Sequence, residues 1–397
     1  MVAGAPSTNW PRQLPAPARS FFLFGPRGTG KSTWLQRHFP QATLIDLLLS
    51  DVALELGRHP ENLRALVGQC SRGDWVCIDE VQKLPQLLDE VHWLMERRGL
   101  RFALSGSSAR KVRRGGANLL AGRAMHLEMT SLSASELGDD FDLQRFLEFG
   151  GLPLVVQDPT NARATLSAYV HTYLREEILA EQLVRKAEPF SRFLEVAGLL
   201  NGQLVSASNV ARQAAVPRSS VDVYFSILED TLLGRMLRPY HPGARVRESG
   251  HPKFYWFDPG VARASAGQLR GAPDRSELGF SFETWVLHEL RVYGQLQELP
   301  APIHFYRTGA GVEVDFVVET RRKTASRKAE VVLIEAKLAE RWDRRWENAA
   351  RALADSGSVR VKGMYGVYTG SKRYDFEGFQ VLPVAEFVRA LFAGELF

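Results

Sequence analysis

The chain has 397 residues, 45% hydrophobic and 24% charged, with a formal net charge of +5, and its length implies two or three domains rather than one core. No apolar run reaches the ~18–20 residues of a membrane-spanning helix. The two cysteines, Cys70 and Cys77, lack metal-ligand or disulfide spacing, which excludes a disulfide scaffold and predicts a reducing cytoplasmic setting.

Residues 1–19 are rich in Pro and Ala without an apolar signal core, and read as a flexible leader. From residue 20 short apolar runs alternate with helix-length segments: "SFFLFG" (20–25), "ATLIDL" (42–47), "DWVCIDE" (74–80) and "LRFALSG" (100–106). Continuous apolar runs spaced this way predict a parallel sheet covered on both faces. This unit is expected to span 20–130.

Its first strand leads into "GPRGTGKST". Gly25, four residues, then Gly30, Lys31 and Ser32, set between a strand and a helix, is the context of a phosphate-binding P-loop. The loop residues Gly25, Pro26, Arg27, Gly28, Thr29, Gly30 and Thr33 can surround phosphates at the positive end of the following helix, each but Pro26 offering a backbone N–H. Lys31 would reach the β- and γ-phosphates of ATP, and the Ser32 hydroxyl would ligate Mg²⁺. Downstream, Asp79 ends a buried strand, where it can hold the same Mg²⁺, and Glu80 can deprotonate the attacking water. Ser105, at the end of the next strand, can position that water or the γ-phosphate. Two adjacent acids at a strand end also fit a solvated loop.

Residues 131–270 read as mainly helical. Within them "SASNVARQAAV" and "PRSSVDVYFSILEDTLLGRMLRP" predict helix, turn, helix of the winged type, with Pro217 in the first turn of the second helix. Arg218, Ser219 and Ser220 would then stand where a recognition helix meets bases. Asp222 opposes phosphate there, and a lid or protein contact is the competing reading.

Residues 271–397 predict a further α/β unit, with a helix over 281–293 and strands at 303–307, 312–319, 330–336 and 363–369. Period-2 alternation puts Glu313 and Asp315 on one face with Val314, Phe316 and Val318 on the other, and places Glu335 with Lys337. Two such strands side by side would bring Asp315, Glu335 and Lys337 together, with Glu283 beside the inward stripe of the helix. Oxygen ligands with a lysine suit Mg²⁺-assisted phosphodiester hydrolysis, Asp315 and Glu335 as ligands and Lys337 activating the water. Surface Glu–Lys pairs are ordinary, so a plain salt bridge is the alternative. The hairpin "TRRKTASRKAE" concentrates Arg321, Arg322, Lys323, Arg327 and Lys328, a candidate contact for a phosphate backbone. Arg341, Arg344, Arg345 and Arg351 are interleaved with acids, and surface pairing explains them equally well.

In order, "GPRGTGKST", "IDEVQKLP", "LSGSSARKV…NLLAGRA", "EFGGLPLVV", "KFYWFDPGVARA", "FETWVLHEL", "GVEVDFVVE" and "IEAK" resemble prokaryotic AAA+-type ATPases that carry a C-terminal domain long labelled as of unknown function. The resemblance runs from about residue 20 to 370. It implies a AAA-like core, a helical lid with a winged helix, and a restriction-endonuclease-like domain. Arg123 in "LAGRA" matches the family's arginine and is an arginine-finger or sensor candidate, or else a surface arginine capping a turn. A finger supplied in trans would require a homo-oligomer, of which a ring is one form. Ser105 stands where the family more often has Thr. Asp315, 19 residues, then Glu335-x-Lys337 resembles the PD-(D/E)XK nuclease core, with Glu283 matching the helix acid of some members and Val314 replacing the usual Pro.

The expected function is therefore an ATP-hydrolysing protein acting on nucleic acid, DNA rather than RNA, through a Mg²⁺-dependent (or Mn²⁺-dependent) nuclease-like domain. Two alternatives stay open. One is a DNA-remodelling ATPase whose nuclease fold only binds. The other is an ATP-driven switch that engages protein partners.

Overall fold

The structure, a computed structural model, describes residues 10–108, 119–174, 187–242, 250–297, 299–308 and 311–397. Strands β1 (Phe21–Phe24), β2 (Thr43–Asp46), β3 (Trp75–Asp79), β4 (Arg101–Gly106) and β5 (Met125–Glu128) form a parallel sheet in the order β2-β3-β4-β1-β5. Alternation along β1 feeds two cores. Phe22 and Phe24 join Ile78 and Leu104 on one face, while Phe21 and Leu23 join Trp34 and Leu127 on the other. Both faces are thus covered, as continuous apolar strands require. Placing β4 between β1 and β3 brings the carboxyl ends of all three strands around the Gly-rich loop.

Of the expected leader, residues 10–14 lie against this core. The Trp10 indole donates to Asp140 at 2.8 Å, Arg12 donates to the Thr130 carbonyl at 2.8 Å, and Trp34 donates to the Leu14 carbonyl at 3.3 Å.

The chain then turns helical, as expected. Helices Ala187–Leu199, Ala207–Gln213 and Arg218–Asp230 accompany a small antiparallel sheet of β6 (Gln203–Leu204), β7 (Gly234–Leu237) and β8 (Lys253–Trp256) in the order β6-β8-β7. The second helix of the expected pair is shorter than its apolar pattern suggested. Pro217 is its N-cap rather than part of its first turn, and the helix stops at Asp230. Leu232 then takes a positive φ of 60°, which reverses the chain into β7.

The last unit is a mixed sheet of β9 (Ile303–Arg307), β10 (Glu313–Arg321), β11 (Glu330–Lys337), β12 (Arg360–Tyr368), β13 (Tyr374–Phe376) and β14 (Phe379–Pro383), ordered β13-β14-β12-β11-β10-β9. The Arg275–Leu296 helix covers one face through Phe282, Trp285, Val286 and Leu290. Strict alternation along β10 does not hold. Its pairing with β9 shifts register between Val314 and Val317. Val314 and Val317 join one core while Phe316 and Val318 join the other. A bulge of this kind bends a strand and re-aims a side chain, and here the residue concerned is Asp315. Beyond the four expected strands, β13 and β14 extend the sheet. The free edge of β9 is covered by the segment after β7, where Tyr240 N–H donates to the Phe305 carbonyl at 2.5 Å.

Candidate functional site

The Gly-rich loop wraps the start of the Lys31–His38 helix. Gly30, its N-cap, has φ 89°, a left-handed conformation that glycine adopts without the steric penalty a Cβ imposes. The Lys31 ammonium donates to the carbonyls of Gly25 at 2.8 Å and Pro26 at 3.1 Å, and Thr29 Oγ1 donates to Pro26 O at 2.8 Å. The loop is therefore closed by its own side chains into a ring of backbone groups.

Asp79 organises the adjoining strand ends. Its Oδ2 accepts from Ser32 Oγ at 2.6 Å, and its Oδ1 accepts from Ser105 Oγ and from the Glu80 N–H at 3.0 Å. Ser32, Asp79 and Ser105, far apart in sequence, thus form one hydrogen-bonded group. Glu80 sits beside it in the left-handed region, φ 59° and ψ 41°. Such a conformation costs a non-glycine residue ~1–3 kcal/mol and tends to persist at functional sites. The Gln82 amide holds the Glu80 carboxylate and also donates to Ser107 Oγ at 3.0 Å. Sequence reasoning missed Gln82, although its place two residues beyond the acid was a usable signal. It also missed Tyr169, whose hydroxyl donates to the Arg27 carbonyl at 3.0 Å and ties the helical region to the loop. Beside Thr29, Gly30 and Thr33 a cavity of about 290 Å³ opens, also lined by Trp10, Arg12 and Trp34.

Arg123 is not part of this group. Its guanidinium pairs with Glu96 at 2.6 Å on an exposed surface.

The second group lies at the start of β10 and the end of β11. Phe316 pairs with Ile334, so Asp315 and Glu335 become cross-strand neighbours. Lys337 Nζ lies 3.2 Å from Asp315 Oδ2 and 2.5 Å from Glu335 Oε1, and the Ala336 N–H donates to Asp315 Oδ2 at 2.9 Å. Glu283 reaches the same place from the long helix. Burial, with the Asp315 charge adding to it, pushes the Glu283 carboxyl up to about 7 and the Glu335 carboxyl up to about 8. The four expected residues are therefore brought together. Two further members come from β8, which carried no expected site residue: Lys253, 3.3 Å from Glu283 Oε2, and Tyr255, whose hydroxyl donates to the same oxygen at 2.9 Å.

The basic segments divide. Arg321, Arg360 and Lys362 surround Glu330 at 3.3, 3.4 and 3.9 Å, and the neighbouring Arg322, Lys323, Arg327 and Lys328 are exposed. Arg345 instead pairs with Asp343 at the surface and Arg351 with the buried Glu347, each at 2.5 Å. Arg218 is likewise paired with Asp222 at 2.5 Å, which weakens it as a base-reading group.

The N-terminal unit is a P-loop domain of the AAA type: a family model described as "AAA domain" matches residues 18–138. Two models described as domains of unknown function, DUF8612 and DUF4143, match residues 140–270 and 278–387, so a distinct C-terminal domain follows. The chain is similar to the uncharacterized protein Mb2031c of Mycobacterium bovis and to the uncharacterized protein Rv2008c of Mycobacterium tuberculosis. Each is 27% identical over 307 residues, which cover 75% of this chain and 67% of the relative. Among solved structures, the Aeropyrum pernix ORC1 protein in complex with DNA overlaps at a TM-score of 0.26 with 13% identity, covering 63% of this chain and 86% of that one. The STAND protein PH0952 of Pyrococcus horikoshii overlaps at 0.20 with 13% identity, covering 73% and 49%. Among the described residues no helix is long and apolar enough to cross a membrane.

Proposed function

We propose that this chain hydrolyses ATP at the Gly-rich loop and uses the resulting change to act on nucleic acid, DNA in preference to RNA, through its C-terminal domain. The observation that carries the ATPase reading is the bond from Ser32 to Asp79 at 2.6 Å. It sets two hard oxygen donors beside the phosphate loop, the donor chemistry that Mg²⁺ takes. In this reading Ser32 and Asp79 hold the metal, which would neutralise phosphate charge. Lys31 swings from the Gly25 and Pro26 carbonyls to the β- and γ-phosphates. Glu80, steered by Gln82, takes the proton of the attacking water, and Ser105 fixes Asp79. The cavity beside Gly30 is of a size to receive the adenine and ribose.

The division 20–130, 131–270 and 271–397 is the one we adopt, in keeping with the spans of the three family models. The helices Ala207–Gln213 and Arg218–Asp230, followed by β7 and β8, have the order of a winged helix, here serving as a lid. We assign the C-terminal unit to the PD-(D/E)XK type on the convergence of Asp315, Glu335 and Lys337. Asp315 and Glu335 offer the oxygen donors a divalent ion prefers, and Lys337 can orient a water. On labelled DNA and RNA with Mn²⁺, cleavage is expected to disappear in Asp315→Ala and Lys337→Ala while their release of phosphate from ATP persists. Unwinding with no cleavage of any substrate would instead establish the remodelling ATPase.

The hairpin between β10 and β11 is the expected phosphate contact. Arg321 lies six residues along β10 from Asp315, roughly 20 Å at strand spacing, so an engaged strand would extend over about six nucleotides. Reversing Arg322, Lys323 and Arg327 to Glu should weaken DNA binding on every sequence alike. It should also reduce the slope of log K against log salt by about 2 to 3. An unchanged slope would remove the hairpin from the interface.

A further inference from the structure

Lys253 belongs to the middle sheet, yet its side chain, only 7% exposed, ends among carboxylates of the C-terminal domain. Its Nζ lies 2.5 Å from Glu313 Oε1, 3.3 Å from Glu283 Oε2 and 4.0 Å from Asp315 Oδ1. An ammonium withdrawn from water loses several kcal/mol of hydration, and here Glu313, Glu283 and Asp315 compensate that loss from three directions. Burial works against the charge, but the carboxylates outweigh it and hold this lysine protonated even more firmly than an ordinary one.

The two lysines divide the site between them. Lys337, 27% exposed, serves Asp315 Oδ2 and Glu335, while Lys253 serves Asp315 Oδ1, Glu283 and Glu313. Arg307 also approaches Glu313, at 3.3 Å from the solvent side. Carboxylate oxygens from the long helix and from β10 therefore already surround one cationic atom. That point is where a divalent ion drawing on Glu283 as well as on Asp315 and Glu335 would sit. Magnesium holds its oxygens at ~2.0–2.1 Å, so an ammonium and a metal ion cannot both occupy it.

We propose that Lys253 is a tethered cation that fills the divalent-ion position of the C-terminal site, so that metal binds only when β8 withdraws it. This rests on the reading that the site takes a divalent ion. The strand carrying Lys253 is placed to respond to the ATPase domain. Its neighbour β7 contributes Arg235, which grips Glu128 of β5 at 2.5 Å, and Arg291 of the long helix holds the same carboxylate at 2.7 Å. Burial would raise the Glu128 carboxyl, but Arg291 and Arg235 hold it below the usual range. One carboxylate at the edge of the ATPase sheet is thus bound to both elements whose separation would free the site, the β7–β8 sheet and the helix bearing Glu283. Lys253 is then the release point of an autoinhibitory latch.

The test is calorimetric titration of the full chain with MnCl₂, without nucleic acid. Lys253→Met is expected to bind one Mn²⁺ at least about tenfold more tightly than wild type, a difference of ~1.4 kcal/mol. Adding Asp315→Asn should abolish that binding. Glu313→Gln, which removes the lysine's nearest anchor and leaves Glu283 and Asp315, should tighten binding in the same direction and decides the matter if Lys253→Met fails to fold. Equal affinity in wild type, Lys253→Met and Glu313→Gln, lost in each on adding Asp315→Asn, would overturn the latch and keep the metal site. No binding by any of the three would overturn both.

Discussion

Glu80→Gln is expected to bind ATP as wild type does while hydrolysing it roughly 10²–10⁴-fold more slowly, the usual contribution of a positioned general base. Glu80 is the carboxylate beside the Ser32–Asp79–Ser105 group whose side chain accepts from Gln82 rather than from any member of that group. Its backbone is turned into the left-handed region, and the Gln82 amide holds its side chain. The substitution keeps shape and polarity and removes only the capacity to accept a proton. Lys31→Ala should behave differently, losing ATP binding itself, because the ammonium interacts with bound phosphates before any chemistry begins. Binding of labelled nucleotide and release of phosphate, measured on both variants, separate the two roles. Wild-type turnover in Glu80→Gln would remove Glu80 as the base and transfer attention to Asp79.

What could be read from the sequence followed how local each feature is. The phosphate loop is contiguous, and the strand before it and helix after it lie within a dozen residues, so pattern alone identified it. Asp79 and Ser105 were found because each ends an apolar run, and parallel strands align such ends. Gln82 and Tyr169 are polar residues of ordinary type whose roles exist only after folding. Lys253 was quoted within "KFYWFDPGVARA" yet assigned no role, since one lysine opening an apolar run shows nothing about three carboxylates 30 or more residues away. In β10 the bulge broke the alternation expected at Val314, and no Gly or Pro in "VEVDFVVE" marks where it falls. The end of the Arg218–Asp230 helix was equally hidden, because "TLLGRML" continues an apolar pattern that suits a helix or a strand. Lys253 among the carboxylates also bears on the choice between cleavage and binding alone. While it is seated, any nucleic acid reaching the second site would be bound without a metal, as the remodelling reading requires.

The largest loss of stability is expected at the joint between "EFGGLPLVV" and "KFYWFDPGVARA". Asp258 is wholly buried, and its carboxylate caps the Pro259–Ser265 helix through the Val261 N–H at 3.1 Å. Its other oxygen accepts the Gly151 N–H at 2.8 Å. Gly150, with φ 75° and ψ −172°, occupies a region essentially restricted to glycine, and a Cβ there would lie 1.9 Å from Asp258 Oδ1. Gly150→Ala combines that strain with a clash, and at least about 3 kcal/mol is expected to be lost. Gly267→Ala is the control, for its φ of 72° is similar but nothing lies within 4 Å of the added methyl, so only ~1 kcal/mol should go. Asp258→Ala forfeits a helix cap and leaves a buried N–H unsatisfied, together about 2–4 kcal/mol. The same residue gives a pH signature. Burial raises its carboxyl to about 6, even though Gly151 and Val261 favour the charged form. The folded state therefore binds this proton more tightly than the unfolded chain does. The stabilisation is complete below pH ~4 and is lost as pH rises through 6. Relative to Asp258→Asn, wild type should gain melting temperature between pH 7 and pH 5, and parallel curves for the two proteins would show that this carboxyl does not titrate in that window. Gly267→Ala falling as far as Gly150→Ala would show that backbone strain alone, not the contact with Asp258, sets the cost at this joint.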